Sequence, residues 1–389
     1  MRWFVVVVLS LHGLIHLLGF TKAFGLAEVK QLSQPIGRSM GLVWLCASVL
    51  MLAASVAFVA APRWFWLVGA CALVLSQSAI LASWGDAKFG TVGNVVLLVA
   101  VVFRFASHGP LSLREEFAGT VRAGLADAAP PRLLREDDLS GLPEPVRRYV
   151  RVTGSLGQPQ VANLRATWRG RIRSSASDPW MEFRAEQYNF YSSTPSRLFF
   201  MDATMKGLSV DVFHRFVGEA ATFRVRLLSL LTVVSAKGPV MNRGETVTVF
   251  NDLCVLAPSM LVDPAIEWQE VDAHTARARY TRGAETIRAD LTFNDAGELV
   301  DFASDDRPAA SADGKTFTPQ RWTTPLSNYR SFGARRVSTV DEVRYDAPTG
   351  SYAYGEFELL TIDYTVGVEG VARGQEPSVA TAATVSALP

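Results

Sequence analysis

Cysteine, histidine and long charged runs are all scarce in this sequence. Three cysteines occur among 389 residues. Cys46 and Cys71 lie in apolar segments and Cys254 lies further on, with no disulfide or metal-ligand spacing. No basic run or arginine-rich helix points to a nucleic-acid partner. GxSxG, HExxH, a phosphate loop and a dinucleotide fingerprint are all missing. The nearest approach, TGSLG at Thr153–Gly157, has the wrong spacing. A hydrolase needs a nucleophile beside a base. The second half of the chain offers only His214, in a strand next to Phe213, and His274, in a turn. The chain is expected not to be an enzyme and to need no cofactor.

Charge is nearly balanced overall but unevenly placed. Residues 1–110 hold 7 Lys/Arg and 2 Asp/Glu, and the remainder holds 31 and 35. With 49% hydrophobic residues, this is the composition of a membrane portion followed by a soluble one. Four apolar segments are readable at Trp3–Phe20, Met40–Ala61, Trp64–Ala82 and Val92–Phe105, against about 20 residues per crossing. Arg2 before VVVVLSL resembles a signal peptide, but no small-residue cleavage pattern follows, so an uncleaved first helix is expected. Trp44, Trp64, Trp66 and Trp84 lie in or at the ends of the spans, several where an aromatic belt would sit. A multi-pass protein of the cell membrane is expected, with membrane lipids as its surroundings. Arg2, Arg63, Arg104 and Arg114 fall on one side, and Lys22, Lys30, Arg38 and Lys88 on the other. That leaves the side of the soluble portion open, with Arg122, Arg132 and Arg135 tilting it towards the cytoplasm.

Two polar features stand out in this first part. His12 and His16 are one helical turn apart on one face, an arrangement that suits metal ligation or protonation. No third ligand is evident, so hydrogen bonding inside a helix bundle is the plainer reading. In SWGDAKFGTVGN, Asp86 and Lys88 are expected to form a local ion pair. No span carries a buried carboxylate, which argues against a transporter.

Residues 108–140 read as a linker with one short helix along the membrane surface, lacking a long apolar stripe. Residues 141–370 read as a β-rich soluble domain and 371–389 as a disordered tail. In LPEPVRRYVRVTG, Pro143 and Pro145 suit a first helical turn, Val146, Tyr149 and Val150 form a stripe, and Gly154 ends it. The period then switches to two. Leu164, Ala166, Trp168 and Ile172 alternate with Arg165, Thr167, Arg169 and Arg171. The pattern of the next strand slips near Gln187, which suits a bulge or a bend there. Five successive strands without helical period imply a large meander. Asn242 with Glu245 three residues on reads as a capping box opening a helix over 242–257, striped by Val249, Phe250, Leu253, Cys254 and Leu256 and stopped by Pro258. Two hairpins follow, the second turning on Asn294 and Gly297. The fold class is therefore membrane helices plus α+β: about four spans, then an antiparallel sheet around a short helix.

The pieces LPEPVRRYVRVTG, MNRGETVTVFNDLCVLAPSMLVDPAIEW, LTFNDAGELVDFASDDR and TPLSNYRSFGARRV, in that order over residues 142–366, resemble the bacterial DUF6544 (formerly DUF6920) family. The strand–helix–strand plan is also similar to the LolA/LppX-like half-barrel, which implies a curved antiparallel sheet wrapped around a helical plug and an apolar cavity. Neither resemblance implies a catalytic residue.

The candidate ligand-binding residues are the large apolar groups expected to face inward: Trp168, Phe183, Phe199, Phe213, Phe250, Leu253, Trp268, Tyr280, Phe293 and Trp322. They either fill a core or line a cavity for a lipid-like or other hydrophobic ligand. The alternative is a structural or signalling module that meets an unidentified protein partner. Asp305, Asp306 and Arg307 are expected to form a surface ion pair, and Cys254 belongs to the apolar stripe rather than to a zinc site.

Overall fold

The structure is a computed structural model that describes residues 2–127, 131–191 and 195–367. The expected disordered tail at 371–389 lies outside the described residues. The chain divides into two compact units. One comprises residues 1–117 with Met205–Val212 and Val225–Val233; the other contains most of the remaining strands.

In the first unit each expected span is a helix: α1 (Arg2–Ala23), α2 (Arg38–Ala60), α3 (Pro62–Ala82) and, after the single turn α4 (Trp84–Ala87), α5 (Gly90–His108). All four long helices have the length and composition needed to cross a membrane. Pro62, in the first turn of α3, needs no partner for the N–H it lacks, so α3 starts one residue after α2 ends. Leu9, Met51, Ala54, Phe58, Phe65, Ala72, Leu97 and Val101 form the core. Leu14, Val49, Val56, Val74 and Val99 point outward. Close packing relies on small residues: a Cβ on Gly19 would fall 2.1 Å from the Trp44 ring. The expected Asp86–Lys88 ion pair is replaced. Asp86 accepts hydrogen bonds from the Ser33 N–H (2.6 Å), the Ser33 hydroxyl (2.7 Å) and the Gln34 N–H (3.0 Å), tying two loops together. Lys88 instead lies over the Phe89 ring.

The expected linker holds a longer element than its composition suggested. Helix α6 (Leu113–Ala126) has a buried stripe of Leu113, Phe117, Val121 and Leu125, spaced four apart. The ring of Phe190 lies so close to Gly124 that an added Cβ would clash at 2.7 Å. Helix α7 (Glu144–Val152) forms as the sequence predicts, burying Pro145, Val146, Tyr149 and Val150.

The sheet contains thirteen strands. The first six are β1 (Asn163–Ile172), β2 (Met181–Phe190), β3 (Ser196–Met205), β4 (Leu208–Val217), β5 (Ala220–Leu227) and β6 (Leu231–Lys237). Helix α8 (Pro239–Leu256) comes next. The strands then resume as β7 (Ile266–Glu270), β8 (Thr275–Arg282), β9 (Glu285–Phe293), β10 (Leu299–Ser304), β11 (Arg321–Ser327), β12 (Val340–Ala347) and β13 (Gly350–Tyr364). Their spatial order is β6-β5-β4-β3-β2-β1-β13-β12-β11-β10-β9-β8-β7. Two meanders thus join where β1 pairs with β13, and the sheet stays open, with β6 and β7 at its edges. Helix α8 is the connection from one edge to the other.

Several local expectations change. The stretch ATFRVRLLSLLTVV, apolar enough throughout to suit one strand, is two, β5 and β6. They turn at Leu228 and Ser229, both with positive φ (54° and 59°) and neither a residue type that favours that region. No bulge occurs at Gln187, because β2 pairs with both β1 and β3 in unbroken register through it. Irregularities fall instead between Thr167 and Trp168 opposite β13, and between Val343 and Arg344. Gly297 has φ +81° as expected. Asn294 acts through its side chain, whose Oδ1 accepts the Glu298 N–H at 2.9 Å.

Candidate functional site

Helix α8 is buried almost all round from Gly244 to Leu256, so each of its faces must find a partner suited to it. Val247, Phe250 and Cys254 share one face. Phe250 stacks on Tyr280 (4.7 Å, 16°) and meets Phe302 edge-on (5.8 Å), with Trp268 at 6.5 Å. Phe302 continues to Trp322 (6.0 Å), whose indole N–H is bonded to the Tyr354 hydroxyl.

Glu245, Thr248 and Asp252, also three and four residues apart, share another face, and there the interior is ionic. Asp252 Oδ2 accepts from Gln187 Nε2 (2.6 Å), Asn189 Nδ2 (3.1 Å) and Arg197 Nε (2.6 Å). Arg197 Nη1 reaches Glu245 Oε1 at 3.1 Å, and His214 Nε2 lies 2.6 Å from Glu245 Oε2. Arg307 donates to Thr248 Oγ1 (3.0 Å) and to the Tyr345 hydroxyl, with its guanidinium 4.8 Å from the Trp322 ring centre. Burial alone would raise the Glu245 pKa, but the charges of His214, Arg197 and Arg307 outweigh it and hold the carboxylate below its ordinary value. For His214 burial dominates and lowers the pKa despite Glu245. Two guanidinium groups and a buried imidazole therefore gather around two carboxylates.

Three sequence readings are corrected here. Glu245 is not a capping residue. Helix α8 begins earlier, at Pro239, and Asn242 Oδ1 accepts the Ala221 N–H (2.9 Å) rather than capping. The slip at Gln187 and Asn189 arises because both are polar side chains on the inner face of β2 that serve Asp252. Arg307 makes no surface pair with its neighbours: Asp306 pairs with Arg243 (2.6 Å) and Asp305 with Arg321 (3.2 Å). The spacing of Glu245, Thr248 and Asp252 was visible in the sequence and was the signal overlooked.

The ten candidate apolar residues fall into separate groups. Phe250, Trp268, Tyr280 and Trp322 close on one another around Phe302, and Leu253 is buried on α8. Phe293 packs on Tyr149 at 5.5 Å. Phe213 pairs with Phe200 (6.3 Å), on the sheet face opposite its neighbour His214. Trp168, Phe183 and Phe199 surround Phe357, at 6.2, 5.1 and 6.3 Å. Phe357 is only half-buried, whereas Trp168 is 5% exposed and its indole N–H has no partner among the described residues. The irregularity between Thr167 and Trp168 falls at this point, where a bulge re-aims a side chain. The Arg197 guanidinium lies 5.0 Å from the Phe199 ring centre, so the aromatic patch borders the ionic cluster.

On the sheet surface, a groove of about 640 Å³ is lined by Arg277, Arg279, Arg288 and Arg321 with Glu267, Asp290, Asp305 and Asp306. Its charges are largely self-paired, Arg277 with Asp290 (2.7 Å) and Arg279 with Glu267 (3.1 Å). No group of three or more His, Cys, Asp or Glu suited to a metal occurs among the described residues. His12 and His16 meet Ser76 and Asn94 in the bundle instead. Burial pushes the Cys254 thiol far up, which leaves it inert. His274 is half-buried, 3.5 Å from Asp295.

Residues 132–357 match the family of unknown function DUF6544, and the chain belongs to that family. No curated protein matches the sequence. Among solved structures it is similar to a LolA superfamily protein from Nitrosomonas europaea (8% identity, TM-score 0.32), over 56% of this chain and 93% of that one. It is also similar to a DUF1329 family protein from Desulfovibrio piger (13% identity, TM-score 0.33; 57% and 92%). A third is a domain described as outer membrane lipoprotein-sorting from Vibrio parahaemolyticus (9% identity, TM-score 0.31; 53% and 86%).

Proposed function

We propose that the chain is a multi-pass membrane protein whose sheet binds an amphiphilic, lipid-like ligand, acting as a binding module rather than an enzyme. The observation that carries this reading is the patch of Trp168, Phe183 and Phe199 around half-buried Phe357, together with the buried Trp168 N–H that has no partner among the described residues. An apolar surface with one convergent polar group suits a molecule that is mostly hydrocarbon. The four long apolar helices support the reading, since a chain held in a bilayer meets such molecules there. The ionic cluster beside the patch supports binding over catalysis, since its carboxylates are already engaged by Arg197, Gln187 and Asn189.

The test is photo-crosslinking of the full chain in nanodiscs with a phospholipid carrying a diazirine on its acyl chain. Labelled peptides should come from Met181–Phe190 and Gly350–Tyr364 as well as from the helices, and Phe357→Asp should abolish the labels in the strands. Labelling confined to residues 2–108 would sink the ligand reading and favour a protein partner.

A further inference from the structure

The helical bundle contains a second set of buried polar groups, and their hydrogen-bonding capacity is incomplete in a specific way. Ser76 Oγ lies 2.8 Å from Asn94 Oδ1. Asn94 is oriented with its Nδ2 donating to Gln77 Oε1 (2.9 Å), whose own Nε2 lies 3.4 Å from the Thr91 hydroxyl. Two oxygens at that separation need a hydrogen between them, and only the serine can supply it. Ser76 then has lone pairs alone to offer His16 Nε2, 2.7 Å away, so Nε2 must carry the hydrogen. In the neutral ring, His16 Nδ1 is therefore an acceptor. It is unpartnered, on a residue only 1% exposed.

Two more unpartnered atoms lie on α2, the helix packed against this stretch of α1. The Trp44 ring meets His16 edge-on at 5.0 Å, and its indole N–H has no acceptor among the described residues. Ser48, one turn further along the same face of α2, has no partner for its hydroxyl among them. Both residues are about as buried as His16, at 2% and 1% exposed. A buried polar atom without a partner is destabilising, and three together, of complementary character, point to something that satisfies them.

We propose that His16, Trp44 and Ser48 form a binding site for one hydroxyl group. A hydroxyl can accept from the Trp44 N–H and at the same time donate to His16 Nδ1, with Ser48 completing either role. A carbonyl would satisfy Trp44 and leave His16 Nδ1 unpaired, and a cation would do the reverse. The hydroxyl has two possible sources, water and the head group of a membrane-soluble alcohol.

The experiment is NMR on the full chain in nanodiscs, labelled with ¹⁵N at histidine and tryptophan, with Trp44→Phe used only to assign the Trp44 indole signal. The site requires an unprotonated Nδ1 on His16 and a hydrogen-bonded Trp44 indole. A cross-peak from that indole to water that is unmoved by 1-dodecanol identifies water as the occupant. A saturable shift with 1-dodecanol, absent with 2-dodecanone and dodecane, identifies a lipid alcohol. A protonated Nδ1, a ketone as effective as the alcohol, or an indole with the shift of a free N–H in every sample would overturn the proposal.

Discussion

The two buried polar regions of this protein are built on opposite terms. In the helical bundle the buried groups are His12, His16, Ser76 and Asn94, with Gln77 and Thr91 extending the chain, and none is a carboxylate or a guanidinium. Around α8 they are Arg197, Arg307, Glu245 and Asp252. A neutral network needs only matched donors and acceptors and tolerates apolar surroundings, because losing one bond leaves one unpaired dipole. An ionic network survives burial only while every charge is compensated, since an uncompensated charge costs several kcal/mol. The sheet domain can supply that compensation because β2, β3 and β4 deliver long polar side chains to one face of one helix.

The comparison breaks most visibly at Arg197. Arg197→Leu removes the one guanidinium paired with both Glu245 and Asp252 and should cost about 3–5 kcal/mol in chemical denaturation. Arg169→Ala, which removes an exposed pair with Glu358, should cost less than about 1 kcal/mol. Equal losses would show that burial of the cluster contributes nothing special.

Asp341 sharpens the same point through pH. It is 8% exposed, and burial raises its pKa to about 7, against the Ser338 hydrogen bond at 2.9 Å that lowers it and with the Asp252 charge adding to the rise. The folded state therefore holds a proton that the unfolded state releases near 3.8. This contribution is fully present below about pH 4 and is lost as pH rises through 7. From pH 5 to pH 8 it should fall by about 2–3 kcal/mol, at 1.36 kcal/mol per pKa unit. Asp341→Asn, which keeps an oxygen for Ser338, should abolish that slope. Denaturation midpoints of both proteins at the two pH values measure it, and parallel slopes would contradict the assignment.

Within the two buried networks, the smaller effect is expected in the bundle. Ser76→Ala strands His16 Nε2–H and removes one donor to Asn94, for about 1–3 kcal/mol of helix-bundle stability. A thermal unfolding scan in detergent checks it, and a loss as large as that of Arg197→Leu would erase the distinction between the two interiors.

Much of the architecture was legible because it rests on local periodicity. The four apolar segments became α1, α2, α3 and α5, and the Val146, Tyr149 and Val150 stripe became α7. The alternation from Leu164 onward became β1, and Gly297 took the positive φ its turn demands. The misses have one origin. Leu228 and Ser229 turn a chain that carries no Gly or Asn there. The α6 stripe has its positions four apart inside a segment rich in Ala and charge, where composition concealed it.

The site was the least legible part. The apolar stripe marks helix α8, but the large apolar groups expected to face inward give no sign of the ions buried among them. Trp168, Phe183 and Phe199 were recognised, while Phe357, which joins them, was not. Glu245 three residues after Asn242 satisfies the pattern of a capping box as well as it satisfies an ion pair, and nothing nearby separates the two. Its partner Arg197 is 48 residues away, and Arg307 finds Thr248 across 59. The sequence by itself determined which segments are helix or strand and which positions could be buried, because those follow from spacing along the chain. Only the tertiary structure decided which buried charges meet. A charge is affordable in the interior only where the fold supplies its partner, and no local pattern records a partner half a sheet away.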